Sequence, residues 1–174
     1  MSLTFQKLHP CFVAEVSPID LRKATDPETL KQLRAGMDKH AVLVFRDQFL
    51  TDAEHLSFAK RFDGQLHTKT GISALQKSRL GQEALADVSN LNAEGSVYQA
   101  NDRKRLYGLG NRLWHTDASF QDPPGRYSML FARVIPPVSA DTQFADTRTA
   151  YDRLPQDLKN QLEGLRAHHS IAYS

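Results

Sequence analysis

Two proline pairs divide the last third of this chain into runs that no helix can cross. Pro123-Pro124, followed by Gly125, and Pro136-Pro137 lack amide donors and hold their own φ. Helices end before such residues, and central strands exclude them. The stretches they separate are short and rich in aromatic and aliphatic residues. Residues 113–120 read as a strand running into a turn at Pro123-Pro124-Gly125. Residues 127–135 read as a second strand ended by Pro136, and 142–145 as a third. The last third is therefore expected to hold three strands.

The first third is patterned differently. Residues 12–16 read as a short strand. Asp26 before Pro27 supplies an N-cap with proline at the first helical position. Leu30, Leu33 and Met37 then recur at helical spacing, so 27–39 reads as an amphipathic helix. The apolar run 41–45, bounded by charges, reads as a buried strand. Thr51 and Glu54 form a capping-box pattern, and the helix it opens presents Leu56, Ala59 and Phe62 on one face. Residues 63–83 are polar and aperiodic and read as a long loop, the kind that often carries function. Residues 86–91 read as a short strand and 92–110 as irregular. Near the end, 148–154 reads as a helical turn, and Pro155 opens a helix with Leu158, Leu162 and Leu165 along it. Ile171-Ala172-Tyr173 reads as the beginning of a strand with no closing turn, so the chain is expected to be part of a longer domain.

Composition narrows the function classes. The chain has 174 residues, enough for one domain with its own core. Its net charge of +2 comes from interspersed charges, unlike the one-sided basic surface of a nucleic-acid binder. Arg103-Lys104-Arg105 is a compact basic run and reads as a solvated loop. Cys11 is the single cysteine, which excludes an intrachain disulfide and suits a reducing compartment. No apolar run approaches the roughly 20 residues of a membrane span, and the N-terminus has no signal-peptide pattern. A cytoplasmic protein acting on small molecules, with no nucleic-acid or membrane partner, is the expectation.

His115 and Asp117 carry the chemistry. On a strand, residues two apart face the same side, so their donor atoms can converge on one small ion. An imidazole nitrogen with a carboxylate oxygen suits iron(II) and leaves coordination positions for a third protein ligand, a chelating cosubstrate and dioxygen. Trp114 and Phe120 flank the pair and read either as a dry shell around it or as plain core packing. The spacing alone does not separate a metal half-site from a surface His–Asp pair.

The block 111–120, Asn-Arg-Leu-Trp-His-Thr-Asp-Ala-Ser-Phe, resembles the taurine dioxygenase / 2,4-dichlorophenoxyacetate dioxygenase family of 2-oxoglutarate-dependent oxygenases. The blocks at 41–46, 86–90, 126–130, 136–144 and 162–167 are similar to it as well, so the resemblance spans nearly the whole chain. Its details lean toward the 2,4-dichlorophenoxyacetate branch. It implies an α+β, mainly β fold: a double-stranded β-helix (jelly-roll) core with flanking helices, incomplete at the C-terminus here. Residues 1–174 then form the N-terminal part of a single dioxygenase domain. The resemblance makes His115 and Asp117 the first two iron ligands and Thr142 a hydroxyl donor to a carboxylate of 2-oxoglutarate. It places Asn111, His67 and Lys69 near the primary substrate, where Lys69 can pair with a carboxylate. The family's distal histidine ligand, and the arginine that pairs with the far carboxylate of 2-oxoglutarate, have no counterpart in this chain. His168 and His169 fall in or after the last helix and read as structural or surface residues, and His9, His40 and His55 need no special role.

The activity implied is hydroxylation of an aryloxyalkanoic acid such as 2,4-dichlorophenoxyacetate. Dioxygen and 2-oxoglutarate yield succinate and carbon dioxide, and the hydroxylated substrate collapses to a phenol and glyoxylate. The chain by itself is expected to be inactive, and its full-length form can be a homo-oligomer. A taurine-, sulfonate- or alkylsulfate-type dioxygenase is the alternative within the family. Outside it stand a non-enzymatic jelly-roll remnant and a zinc hydrolase. The latter fits less well, because nothing supplies a general base beside a third zinc ligand.

Overall fold

A computed structural model describes residues 2–68 and 79–168. They divide into two compact units, one drawn from Met1–Phe62 and Met129–Ser174 and the other from Asp63–Ser128.

In the first unit, β1 (Thr4–Lys7) pairs antiparallel with β2 (Ala14–Ser17), and β2 pairs parallel with β3 (Leu43–Val44), in the order β1-β2-β3. On β2 the alternate residues Ala14 and Val16 point inward and are buried. Between β2 and β3 comes α1 (Pro27–His40). Asp26 caps it by accepting a bond from the Thr29 amide at 2.9 Å, as the Asp-Pro pair predicts. Leu30 and Leu33 enter the core, and Arg34 donates to the carbonyls of Phe62 (2.7 Å) and Arg61 (3.1 Å) at the end of α2 (Asp52–Asp63). The last carbonyls of a helix generally lack intrahelical donors, and Arg34 of α1 supplies donors to these two.

The capping box forms. The Thr51 amide donates to Glu54 Oε2 at 2.8 Å, and the Glu54 amide donates to Thr51 Oγ1 at 3.3 Å. The Thr51 amide, joined by the Thr51 hydroxyl donating to the same Oε2 at 2.8 Å, stabilises the ionised carboxylate and lowers the Glu54 pKa. The buried residues of α2 are Phe58 and Phe62, so the expected Leu56-Ala59-Phe62 stripe is rotated: Leu56 and Ala59 are half-buried. Arg61 ties the segment before α1 to this helix by donating to the carbonyls of Leu21 (3.1 Å) and Ala24 (3.3 Å).

The same unit also contains α4 (Thr147–Asp152), capped by Asp146, and α5 (Gln156–Leu162), with α3 (Arg103–Gly108) belonging to the second unit. Arg133 pairs with Asp52, His55 packs edge-on against Phe131, and Arg148 donates to the Asp38 carbonyl. α5 stops at Leu162, short of the expected Leu165, and Leu158, Leu162 and Leu165 are all exposed.

Several expectations need correction. The run 41–45 forms only the two-residue β3, half-buried, because β3 has a ladder partner on one side alone among the described residues. Residues 113–120, 127–135 and 142–145 form no strands; none finds a pairing partner among the described residues, and an extended segment without one is not a strand. Residues 86–91 contribute only the bridge Leu91↔Val97. The stretch 92–110, expected to be irregular, holds α3, which Asp102 caps through the Lys104 amide, so the basic run lies on an exposed helix rather than a loop. The strand start at 171–173 lies outside the described residues. No helix among the described residues is long and apolar enough to cross a membrane.

Candidate metal centre

His115 and Asp117 belong to the second unit, where α3 leads through a 3-10 turn (Leu109–Arg112) into the segment that holds them. His115 Nδ1 lies 2.7 Å from the Leu113 carbonyl oxygen. A carbonyl only accepts, so Nδ1 carries the proton and donates. The neutral ring is thereby fixed as the tautomer whose lone pair sits on Nε2. Nε2 faces Asp117 Oδ1 at 3.4 Å. The other carboxylate oxygen, Oδ2, accepts a 2.7 Å bond from the Ser128 hydroxyl.

These atoms fit a divalent metal. Two donors at right angles, each about 2.1 Å from one ion, lie about 3 Å apart, close to the observed separation. One nitrogen and one oxygen point together, and the atoms behind them are already engaged. Both side chains remain open to solvent, 49% and 58% exposed. Among the described residues no third histidine, cysteine or acidic side chain completes a metal-binding group.

The turn after Asp117 is tight. The amides of Gln121 and Gly125 both donate to the Ala118 carbonyl, at 3.2 and 3.3 Å. Ala118 sits at φ 53, in the left-handed region. A Cβ on Gly125 would come within 2.8 Å of the Ala118 Cβ, so this close approach requires glycine. The turn brings Ser128 back to Asp117. Sequence reasoning missed Ser128, whose bond to Asp117 spans eleven residues and depends on the path of the turn between them.

The other expected site residues are more scattered. Asn111 is exposed in the 3-10 turn and His67 is exposed in the loop after α2. Neither makes a hydrogen bond or ring contact to His115 or Asp117 among the described residues. Thr142 lies in the first unit, exposed and outside any helix or strand. Lys69 and His169 lie outside the described residues. The dry shell is not formed here: Trp114 is 69% exposed and Phe120 44%. His168 is exposed, as expected of a surface residue. A cleft lined by Phe49, Thr51, Phe131 and Arg133 among others contains none of the expected site residues.

A paired imidazole nitrogen and carboxylate oxygen, with the remaining directions open, is a donor set of the kind that leaves coordination positions about a metal for small molecules. Residues 4–174 match the family described as Taurine catabolism dioxygenase TauD, TfdA family, and the chain belongs to that family. It is 43% identical over 174 residues to the alpha-ketoglutarate-dependent 2,4-dichlorophenoxyacetate dioxygenase of Burkholderia sp. (strain RASC), covering 100% of this chain and 58% of the relative. To the protein of the same name from Cupriavidus pinatubonensis it is 44% identical over 169 residues, again 58% of the relative. The crystal structure of AAD-2 in complex with Mn(II) and N-oxalylglycine matches 94% of this chain and 54% of that one, with a TM-score of 0.79 and 39% identity. The chain thus spans little more than half the length of the relatives it matches.

Proposed function

We propose that the full-length protein is an Fe(II)- and 2-oxoglutarate-dependent dioxygenase that hydroxylates a carboxylate-bearing aryloxyalkanoic acid such as 2,4-dichlorophenoxyacetate. The observation that carries this reading is the convergence of His115 Nε2 and Asp117 Oδ1 at 3.4 Å, within a chain of this family. The names of the relatives favour the aryloxyalkanoate branch, and the N-oxalylglycine bound to AAD-2 is an analogue of 2-oxoglutarate.

Bound iron(II) supplies the oxidative decarboxylation of 2-oxoglutarate and the oxidation of the substrate's C–H bond. The chain's own residues bind and orient. His115 and Asp117 hold the metal, and Thr142 donates its hydroxyl to a 2-oxoglutarate carboxylate without competing for the ion. Lys69 neutralises the substrate carboxylate, with His67 and Asn111 beside the substrate. The distal histidine ligand and the arginine facing 2-oxoglutarate come from residues beyond this chain. So do the strands that pair with 113–120, 127–135 and 142–145 to complete a jelly-roll core. On this reading residues 1–174 are the N-terminal part of one dioxygenase domain and do not turn over alone. The full-length protein works in a reducing cytoplasm, as a monomer or homo-oligomer.

The test is succinate release from 2-oxoglutarate by the full-length protein, measured across phenoxyacetates, taurine and alkyl sulfates. Phenoxyacetates should drive release, and His115→Ala or Asp117→Ala should abolish it. Release that survives both substitutions refutes the site, and preference for taurine or a sulfate ester refutes the substrate class.

A further inference from the structure

Asp117 is held from two sides. Its Oδ1 faces His115 Nε2 at 3.4 Å, and its Oδ2 accepts the Ser128 hydroxyl at 2.7 Å. The second contact lies within the range of a charge-assisted hydroxyl–carboxylate bond. It reaches across eleven residues, through the turn that Gly125 and Ala118 close. Ser128 is therefore placed by a built turn and not by chain proximity.

A free carboxylate beside a divalent ion can bind through one oxygen or both. Binding through both would take a position that a chelating cosubstrate needs. A donor fixed on Oδ2 opposes this, because turning Oδ2 onto the metal means breaking the Ser128 bond. It also fixes the carboxylate plane, so that Oδ1 stays aimed where Nε2 is aimed. His115 has the equivalent constraint in the Leu113 carbonyl at 2.7 Å. Each ligand thus has one atom for the metal and one atom held by the protein.

We infer that Ser128 is a positioning residue that keeps Asp117 a one-oxygen ligand and leaves the neighbouring coordination position open for a bidentate small molecule. This rests on the reading of His115 and Asp117 as metal ligands. It adds a residue whose contact with the metal is indirect, through the carboxylate it orients.

The experiment is Co(II) titration of the metal-free full-length protein, followed by the visible d–d absorption of the bound ion. The variants are Ser128→Ala, Ser128→Thr and Ser128→Val, with far-UV circular dichroism to establish folding. Ser128→Ala should weaken Co(II) binding by about tenfold or more and shift the d–d bands as the carboxylate changes its binding mode. Thr keeps the hydroxyl and should restore both readouts. Val, isosteric with Thr, should not, so the Thr–Val pair decides the matter even if the Ala variant fails to fold. Equal affinity and equal spectra for Thr and Val overturn the inference. His115→Ala and Asp117→Ala separate the two layers. If neither alters the Co(II) spectrum, the metal reading itself fails. If both abolish it while the Thr and Val variants behave alike, the role of Ser128 alone fails.

Discussion

Gly36→Ala should destabilise this protein, although alanine is the better helix former. Gly36 lies within α1 and is buried. With Gln32 and His40 it forms a stripe at i, i+4 and i+8, and β1 lies along that stripe. The Leu3 amide donates to Gln32 Oε1 at 3.2 Å, and the Phe5 ring stacks on His40 with centroids 6.0 Å apart and planes 14° from parallel. A Cβ at Gly36 would overlap Phe5 Cε1 and come within 2.9 Å of Cζ and 3.0 Å of Cδ1. Two effects oppose. Helix propensity favours alanine by about 1 kcal/mol. Displacing a packed ring costs about 1–3 kcal/mol, and here it also breaks the stack on His40. The steric cost should win by about 1 kcal/mol in the native background. When Phe5→Ala removes the ring, only propensity remains, and Gly36→Ala should stabilise by about 1 kcal/mol. A four-member double-mutant cycle in the full-length protein, read by urea denaturation, should therefore give a coupling of about 2 kcal/mol. If Gly36→Ala stabilises equally in both backgrounds, within about 0.5 kcal/mol, the ring does not rest on Gly36 and the reasoning is wrong.

Gly125→Ala should destabilise the turn after Asp117 by about 1–3 kcal/mol, with Ala118→Gly recovering much of the loss, since it removes the opposing Cβ and relaxes the left-handed φ; thermal denaturation of the single and double variants checks both. Acid should weaken the fold through His40 and His55. Burial lowers both pKa values, helped by Lys39 and Lys7 around His40; around His55, Arg133 adds to the lowering and Asp52 opposes it. A depressed folded pKa means that the unfolded chain takes up protons first. The contribution of these residues is then complete above the ordinary value of 6.5 and is lost as pH falls through the folded values. Urea midpoints should drop between pH 7 and pH 5, and His55→Phe, which keeps the edge-on contact with Phe131, should reduce that slope; an unchanged slope for the double variant with His40→Phe contradicts the assignment. Asp20, Asp26, Glu54 and Asp146 are also held below their usual range by hydrogen bonds, so their contributions fade only at lower pH and leave this window to the histidines.

Local chemistry was legible wherever a short stretch satisfied itself. The Asp26-Pro27 start of α1 and the Thr51–Glu54 box each bond within three residues, so their outcome needs no distant partner. His115 and Asp117 were legible as a pair because they lie two residues apart, and the structure brings Nε2 and Oδ1 to 3.4 Å. Burial within a helix was less so. The moment of α2 is set by Phe58 and Phe62, and which face turns inward depends on what packs there.

What the sequence determined alone is therefore its start and stop signals and the donor types at the candidate metal centre, since both are properties of residues a few positions apart. What only the tertiary structure decided is pairing across distance. Ladders exist only when a second strand supplies the matching amides and carbonyls, which is why 113–120 and 127–135 hold strand composition without strand structure among the described residues. The same holds at the site. Ser128 touches Asp117 because a turn with a glycine at its tightest point brings the chain back, and a hydroxyl's partner is set by that path.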